Sequence, residues 1–76
     1  MTTVVITGWA PGFEKVSCTK LVRARLGLDL RDGKQITDDI LQTAVRRLEL
    51  TTDAEAISLV LELTKIGALA HVEPAA

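Results

Sequence analysis

Basic side chains gather in one short part of this chain. Residues 14–34 hold six of the nine lysines and arginines and three acids, so this segment carries +3 while the rest carries −4. The six are Lys15, Lys20, Arg23, Arg25, Arg31 and Lys34. Several of them recur at helical spacing. Taken alone, such a group is either an ordinary solvated helix face or a surface that attracts an acidic partner.

The other residues that could do chemistry form no catalytic or metal-binding pattern. Asp38 and Asp39 are adjacent, so on a helix their carboxylates point apart. His71 has no neighbouring nucleophile or ligand and is expected on a surface strand. The single cysteine, Cys18, has no CxxC partner and is expected to be buried. The loop "GWAPG" lacks the lysine and serine of a phosphate loop. We therefore expect no enzyme activity, metal or cofactor.

Length and composition limit the chain to a small protein with shallow surfaces. One domain covering 1–76 would bury about 60% of its unfolded surface, which leaves little room for a deep cleft. No apolar run is long enough to cross a bilayer, and the N-terminus lacks a basic segment before an apolar stretch, so we expect a cytoplasmic protein. The net charge is −1 and the basic segment has no interleaved aromatic residues, so direct nucleic-acid binding is not expected.

The first half of the chain predicts a strand, a loop and a helix. The β-branched run "TVVIT" ends at Gly8 and indicates the strand. "WAPGF" then forms the loop, where Trp9 and Phe13 either cover the core or stand exposed as a binding edge. Apolar residues at helical spacing predict a helix from about 17 to 26, and Gly27 is its natural left-handed stop.

A second helix is predicted to follow this stop at once. It begins at Asp29 or Leu30 and continues to about Leu41, and Gly33 inside it marks a close approach of another backbone. Residues 43–50 then mix alternation with β-branched side chains. This stretch predicts either a second strand or an extended connector.

The last third of the chain predicts a helix and a closing strand. Thr52 and Glu55 have the spacing of a capping box, so a third helix begins there, runs to about Ile66 and stops at Gly67. Residues 68–73, "ALAHVE", supply the last strand. The predicted order is β-α-α-β-α-β.

One stretch resembles a known family without a gap. "KVSCTKLVRARLGLDLRDGK" is similar to the C-terminal domain of the bacterial large-subunit ribosomal stalk protein, whose two-helix stretch reads "K-V-x-V-I-K-x-V-R-x-x-T-G-L-G-L-K-E-A-K". The matching residues are Lys15, Val16, Lys20, Val22, Arg23, Gly27, Leu28, Leu30 and Lys34. The resemblance implies an α+β fold in which three helices pack on a three-stranded antiparallel sheet.

The resemblance also implies a function. In that family the two-helix face docks translational GTPases, the initiation and elongation factors, and recruits them to the ribosome. Transferred to this sequence, the partner-binding residues are Lys15, Val16, Thr19, Lys20, Arg23, Gly27, Leu28 and Lys34. The chain departs from the family pattern at Thr19, Asp29 and Gly33, which replace isoleucine, glycine and alanine.

Alternatives to a ribosomal stalk function follow from the length of the chain and from a second family of similar fold. The family's dimerisation domain and hinge have no counterpart in these 76 residues, so the chain is either a free-standing homologue or an excised piece. The Clp protease adaptors have a similar fold, but they present an N-D-D/E motif after the first strand, where this chain has "TGWAPG" without an acid. The alternative function is a self-associating accessory or adaptor domain that binds no translation factor.

The third helix, "DAEAISLVLELTKIGA", is apolar on two sides. One stripe consists of Ile57, Val60, Leu61 and Thr64, and the other of Ala56, Leu59, Leu63 and Ile66. We expect the first stripe to face the core. The resembling family has charged residues near the places of Leu59 and Leu63, so we expect a homodimer through Leu59, Leu63 and Ile66. The alternative is a monomer in which "WAPGF" covers this stripe.

Overall fold

Three helices pack on one face of a three-stranded sheet. A computed structural model describes residues 1–73. The elements are β1 (Thr2–Trp9), α1 (Lys15–Leu26), α2 (Leu30–Leu41), β2 (Arg46–Leu50), α3 (Asp53–Lys65) and β3 (Ala68–Glu73). The predicted order and the α+β class are confirmed.

The most apolar strand lies at the centre of the sheet. The strand order is β2-β1-β3, and both pairings are antiparallel. Val4 pairs with Leu48 on one side and Val72 on the other, and a bulge interrupts the β3 pairing between Ile6 and Gly8. β1 is buried on both faces at Val4, Val5 and Ile6, which suits a central strand.

Local signals place the turn between α1 and α2. Gly27 has φ 65°, the left-handed conformation expected of the stop. The Asp29 side chain accepts a hydrogen bond from the backbone N–H of Asp32 at 2.8 Å and caps α2. α1 begins earlier than predicted, at Lys15, so this lysine belongs to the first helical turn and does not precede the helix.

Local signals also set both ends of α3. The Thr52 hydroxyl accepts from the backbone N–H of Glu55 at 3.2 Å, so the predicted N-terminal cap is confirmed. Gly67 ends the helical segment with φ 95°. The preceding strand is shorter than predicted: β2 begins at Arg46, after a turn at Gln42 and Thr43 and two connecting residues, 44–45.

Of the two aromatic residues, one is exposed and the other covers the core. Trp9 is the last residue of β1 and is 42% exposed, and its indole N–H donates to the carbonyl of Leu41 at 3.1 Å. Phe13 is half-buried and packs against the core. Trp9 therefore ties the end of β1 to the end of α2, while Phe13 helps to cover the core.

One hydrophobic core joins the sheet to all three helices. Its buried members are Val4, Ile6, Cys18, Val22, Ile36, Ile40, Leu48, Leu50, Ala56, Leu59, Leu63 and Ala68. The predicted burial of Cys18 is confirmed. Among residues 1–73, no helix is long and apolar enough to cross a membrane.

Candidate docking surface

α1 presents one side to the core and the other to solvent. Cys18 and Val22 are buried, whereas Lys20 and Arg23 are exposed and Val16 is 63% exposed. This is the division that the helical spacing predicts. Below, the docking surface means Lys15, Val16, Thr19, Lys20, Arg23 and Lys34.

A groove between α1 and α2 joins the two helices of the docking surface. Its volume is about 330 Å³, and its lining residues are Lys15, Val16, Thr19, Lys34, Thr37 and Asp38. The structure thus brings Lys15 and Lys34 to the same groove. Thr37 and Asp38 were not predicted as part of this site, although they lie three and four residues after Lys34 and so share its side of α2.

Thr19 forms the floor of this groove and is not an open contact residue. It is half-buried, and its hydroxyl lies 2.8 Å from the hydroxyl of Thr37 and 3.1 Å from the carbonyl oxygen of Lys15. The expected exposure of Thr19 is therefore wrong. Its polar side chain joins α1 to α2 where the resembling family has an isoleucine.

Gly33 allows the two helices to approach closely. A Cβ at this position would lie 2.5 Å from Cγ of Arg23 and 3.3 Å from the carbonyl oxygen of Thr19. The predicted close approach is confirmed, and it includes the backbone of α1. Because the stem of Arg23 lies across Gly33, the guanidinium is held beside α2 with its Nε 3.5 Å from the carbonyl oxygen of Leu28.

The cations of the docking surface carry no ion pairs within residues 1–73. The three salt bridges of this part of the chain join Arg25 to Glu62, Arg46 to Asp39, and Arg47 to Glu73. Arg25 therefore links α1 to α3 and belongs to the internal contacts. Lys15, Lys20, Arg23 and Lys34 remain available for carboxylates of a partner.

Gly27 and Leu28 have different roles from the cations. Gly27 provides the turn between α1 and α2. Leu28 is half-buried, and its side chain lines a separate groove beside β2 instead of the groove that contains Lys15 and Lys34. The structure thus keeps Leu28 beside Arg23 but places its side chain apart from Lys15 and Lys34.

Comparison with protein-family models, curated proteins and solved structures finds no match. The likeness to the stalk domain thus rests on the residues of the α1–α2 segment themselves. Its implied partners remain an expectation.

α3 faces the core with the opposite side from the one predicted. Leu59 and Leu63 are fully buried, and Ile66 is half-buried against the core. The prediction that these three residues form an exposed dimer interface is therefore wrong. They are instead part of the monomer core, and they need no partner chain to cover them.

Most of the stripe predicted for the core faces solvent, although Val60 is half-buried and packs against the core. Ile57 is 53% exposed and Leu61 is 60% exposed. Arg25 of α1 contacts Ser58 and Glu62, so this side of α3 lies beside α1, whereas Ile57 and Leu61 lie on its outer side. The sequence could not supply this rotation, because both stripes of the helix are apolar.

The other residues considered for chemistry are Cys18 and His71. Burial raises the pKa of the Cys18 thiol, and a hydrogen bond with Thr37 offsets part of this effect. His71 is exposed on β3, as predicted. Within residues 1–73, no three histidine, cysteine or acidic side chains are grouped to hold a metal ion.

Proposed function

We propose that this chain is a non-enzymatic protein-binding module whose docking surface binds an acidic partner, with translational GTPases as the expected class. The observation that carries the proposal is the set of four cations without ion pairs among residues 1–73, arranged around the exposed side chain of Val16. The resemblance of the α1–α2 segment to the stalk domain supplies the partner class. Such a role places the protein in the cytoplasm.

The shape of the docking surface suits a helix rather than a small molecule. The groove of about 330 Å³ is shallow, and its rim combines one exposed apolar side chain with lysines on both helices. An amphipathic helix could bury its apolar side over Val16 while its acidic residues face the cations. Charge pairs of this kind raise the association rate and fix the orientation of the partner.

The test is a double charge reversal on α1. Lys20→Glu with Arg23→Glu changes two exposed residues, so the fold should persist in circular dichroism. Affinity for purified elongation and initiation GTPases, measured by calorimetry, should fall about tenfold or more, since each exposed pair contributes about 0.2–1 kcal/mol and reversal makes it repulsive. Wild-type binding should also weaken between about 0.05 and 0.5 M salt, because screening shortens electrostatic range.

A control variant separates local charge from net charge. Lys65→Glu with Ala54→Glu and Thr51→Glu introduces the same change in net charge, −4, at exposed positions in or beside α3, outside the docking surface. This variant should bind like the wild type. Equal binding by the wild type and the α1 variant would refute the docking surface, and absence of binding to every factor at about 0.1 mM would refute the partner class.

A second candidate function is self-association, favoured by the exposed Ile57 and Leu61 on α3. Two such side chains on one helix form an apolar stripe that another copy could cover. Sedimentation at about 0.1 mM should then give a dimer, and Ile57→Lys with Leu61→Glu should give a folded monomer. A monomeric wild type would exclude this candidate.

A further inference from the structure

A second groove lies between α2 and the edge strand β2. Its volume is about 480 Å³, and its apolar lining consists of Leu26, Leu28, Ile36 and Leu48. Asp32 and Gln35 of α2 also line it, whereas the first groove is lined by Lys34, Thr37 and Asp38. By helical spacing these two sets occupy opposite sides of α2, so the grooves are separate.

One wall of this second groove is an unpaired strand edge. β2 pairs with β1 along its whole length, from Leu50 opposite Thr2 to Arg46 opposite Ile6. No backbone group of residues 1–73 hydrogen-bonds to the other edge of β2. This edge therefore offers free N–H and C=O groups beside an apolar groove. The other edge strand, β3, lines neither groove.

We propose that the second groove binds an extended segment of a partner protein, which pairs with β2 as a fourth strand. Backbone hydrogen bonds to β2 provide the attachment, and the five residues of β2 match a segment of about five to seven residues. Alternate side chains of a strand point to the same face, so every second residue of the segment enters the groove beside Leu28 and Ile36. Those residues are apolar.

The charged residues that line the second groove predict the charge of the bound segment. Arg46 is paired with Asp39 at 2.9 Å, and Arg47 is paired with Glu73. Asp32 and Glu49 also line the groove, and neither has an ion-pair partner among residues 1–73. The free charge of the rim is therefore negative, and the segment carries lysine or arginine beside its alternating apolar residues.

A synthetic peptide of this pattern tests the proposal. The probe is acetyl-Lys-Thr-Val-Thr-Val-Thr-Lys-amide, in which the lysines share the face of the valines, titrated into the nitrogen-15-labelled full chain. We expect saturable changes in the amide signals of residues 46–50 and of Leu28 and Ile36, with a Kd on the order of 0.1–1 mM. Outward-facing amides of β2 should also exchange their hydrogens more slowly when the peptide is bound.

Modified peptides distinguish strand pairing from non-specific hydrophobic binding. In a strand only alternate residues direct their N–H groups toward β2. The peptide N-methylated at its two valines and the peptide N-methylated at its three threonines should therefore differ about tenfold or more in affinity. A peptide with glutamate in place of both lysines should bind about tenfold more weakly. The protein variant Asp32→Lys with Glu49→Lys should reverse this preference.

Three outcomes would overturn the proposal. They are no saturable change at about 1 mM peptide, equal affinity of both N-methylated peptides, and dilution-dependent changes of residues 46–50 without peptide, which would mean that a second copy covers β2. The variant Lys15→Glu with Lys20→Glu removes two cations of the docking surface and changes no lining residue of the second groove, so it should bind the peptide unchanged. This variant separates failure of the groove from failure of the docking surface.

Discussion

Two matched leucine truncations test which side of α3 faces the core. Leu61 and Leu63 are two residues apart on one helix, but Leu63 is fully buried and Leu61 is 60% exposed. The changes Leu63→Ala and Leu61→Ala remove the same atoms. They also raise helix propensity by the same small amount, so any difference between them reports burial alone.

The expected difference is large for a domain of this size. Truncating a fully buried leucine costs about 2–5 kcal/mol, because the lost transfer free energy adds to the cost of a cavity. The same truncation at an exposed position usually changes stability by about 0.5 kcal/mol. With a total stability of about 4–11 kcal/mol for 76 residues, Leu63→Ala removes a substantial part of the free energy of unfolding.

Thermal unfolding followed by circular dichroism measures this difference. A loss of 2 kcal/mol lowers Tm by about 8–16 °C in a domain of 60–100 residues, so Leu63→Ala should melt at least about 8 °C below the wild type. Leu61→Ala should melt within about 4 °C of it. Equal Tm values for the two variants, or a lower value for Leu61→Ala, would mean that α3 turns its other side to the core.

Two further predictions concern glycine and cysteine. Gly67→Ala should lower Tm more than Gly27→Ala, because both glycines have positive φ but a Cβ at Gly67 would lie 2.8 Å from Cα of Phe13, whereas at Gly27 it meets open space; equal melting would contradict this contact. The raised pKa of Cys18 means that the folded state keeps its proton at a pH where the unfolded chain loses it. The free energy of unfolding should therefore fall as pH rises above about 8.5, and Cys18→Ala should reduce this slope in urea titrations at pH 7 and 10. An identical slope in the variant would contradict burial of the thiol.

The sequence by itself determined the order of the elements and the helix ends that carry a cap or a glycine, because the signals for these are local. Gly27 and Gly67 adopt positive φ where a stop was predicted, and Thr52 caps α3 through its own side chain. These effects depend on residues within one turn of each other. The buried side of α1 was also predictable, since its apolar residues form one stripe with cations opposite.

Only the tertiary structure decided which side of α3 is buried and where the grooves lie. Leu59 and Leu61 are equally apolar, so periodicity does not tell which of them is buried. The contact of Arg25 with Glu62 joins residues 37 positions apart, so no local pattern predicts it. The groove beside β2 joins Leu28 to Leu48 across the α1–α2 turn and the sheet edge. Such placements depend on how separate elements pack, and a local pattern carries no information about that packing.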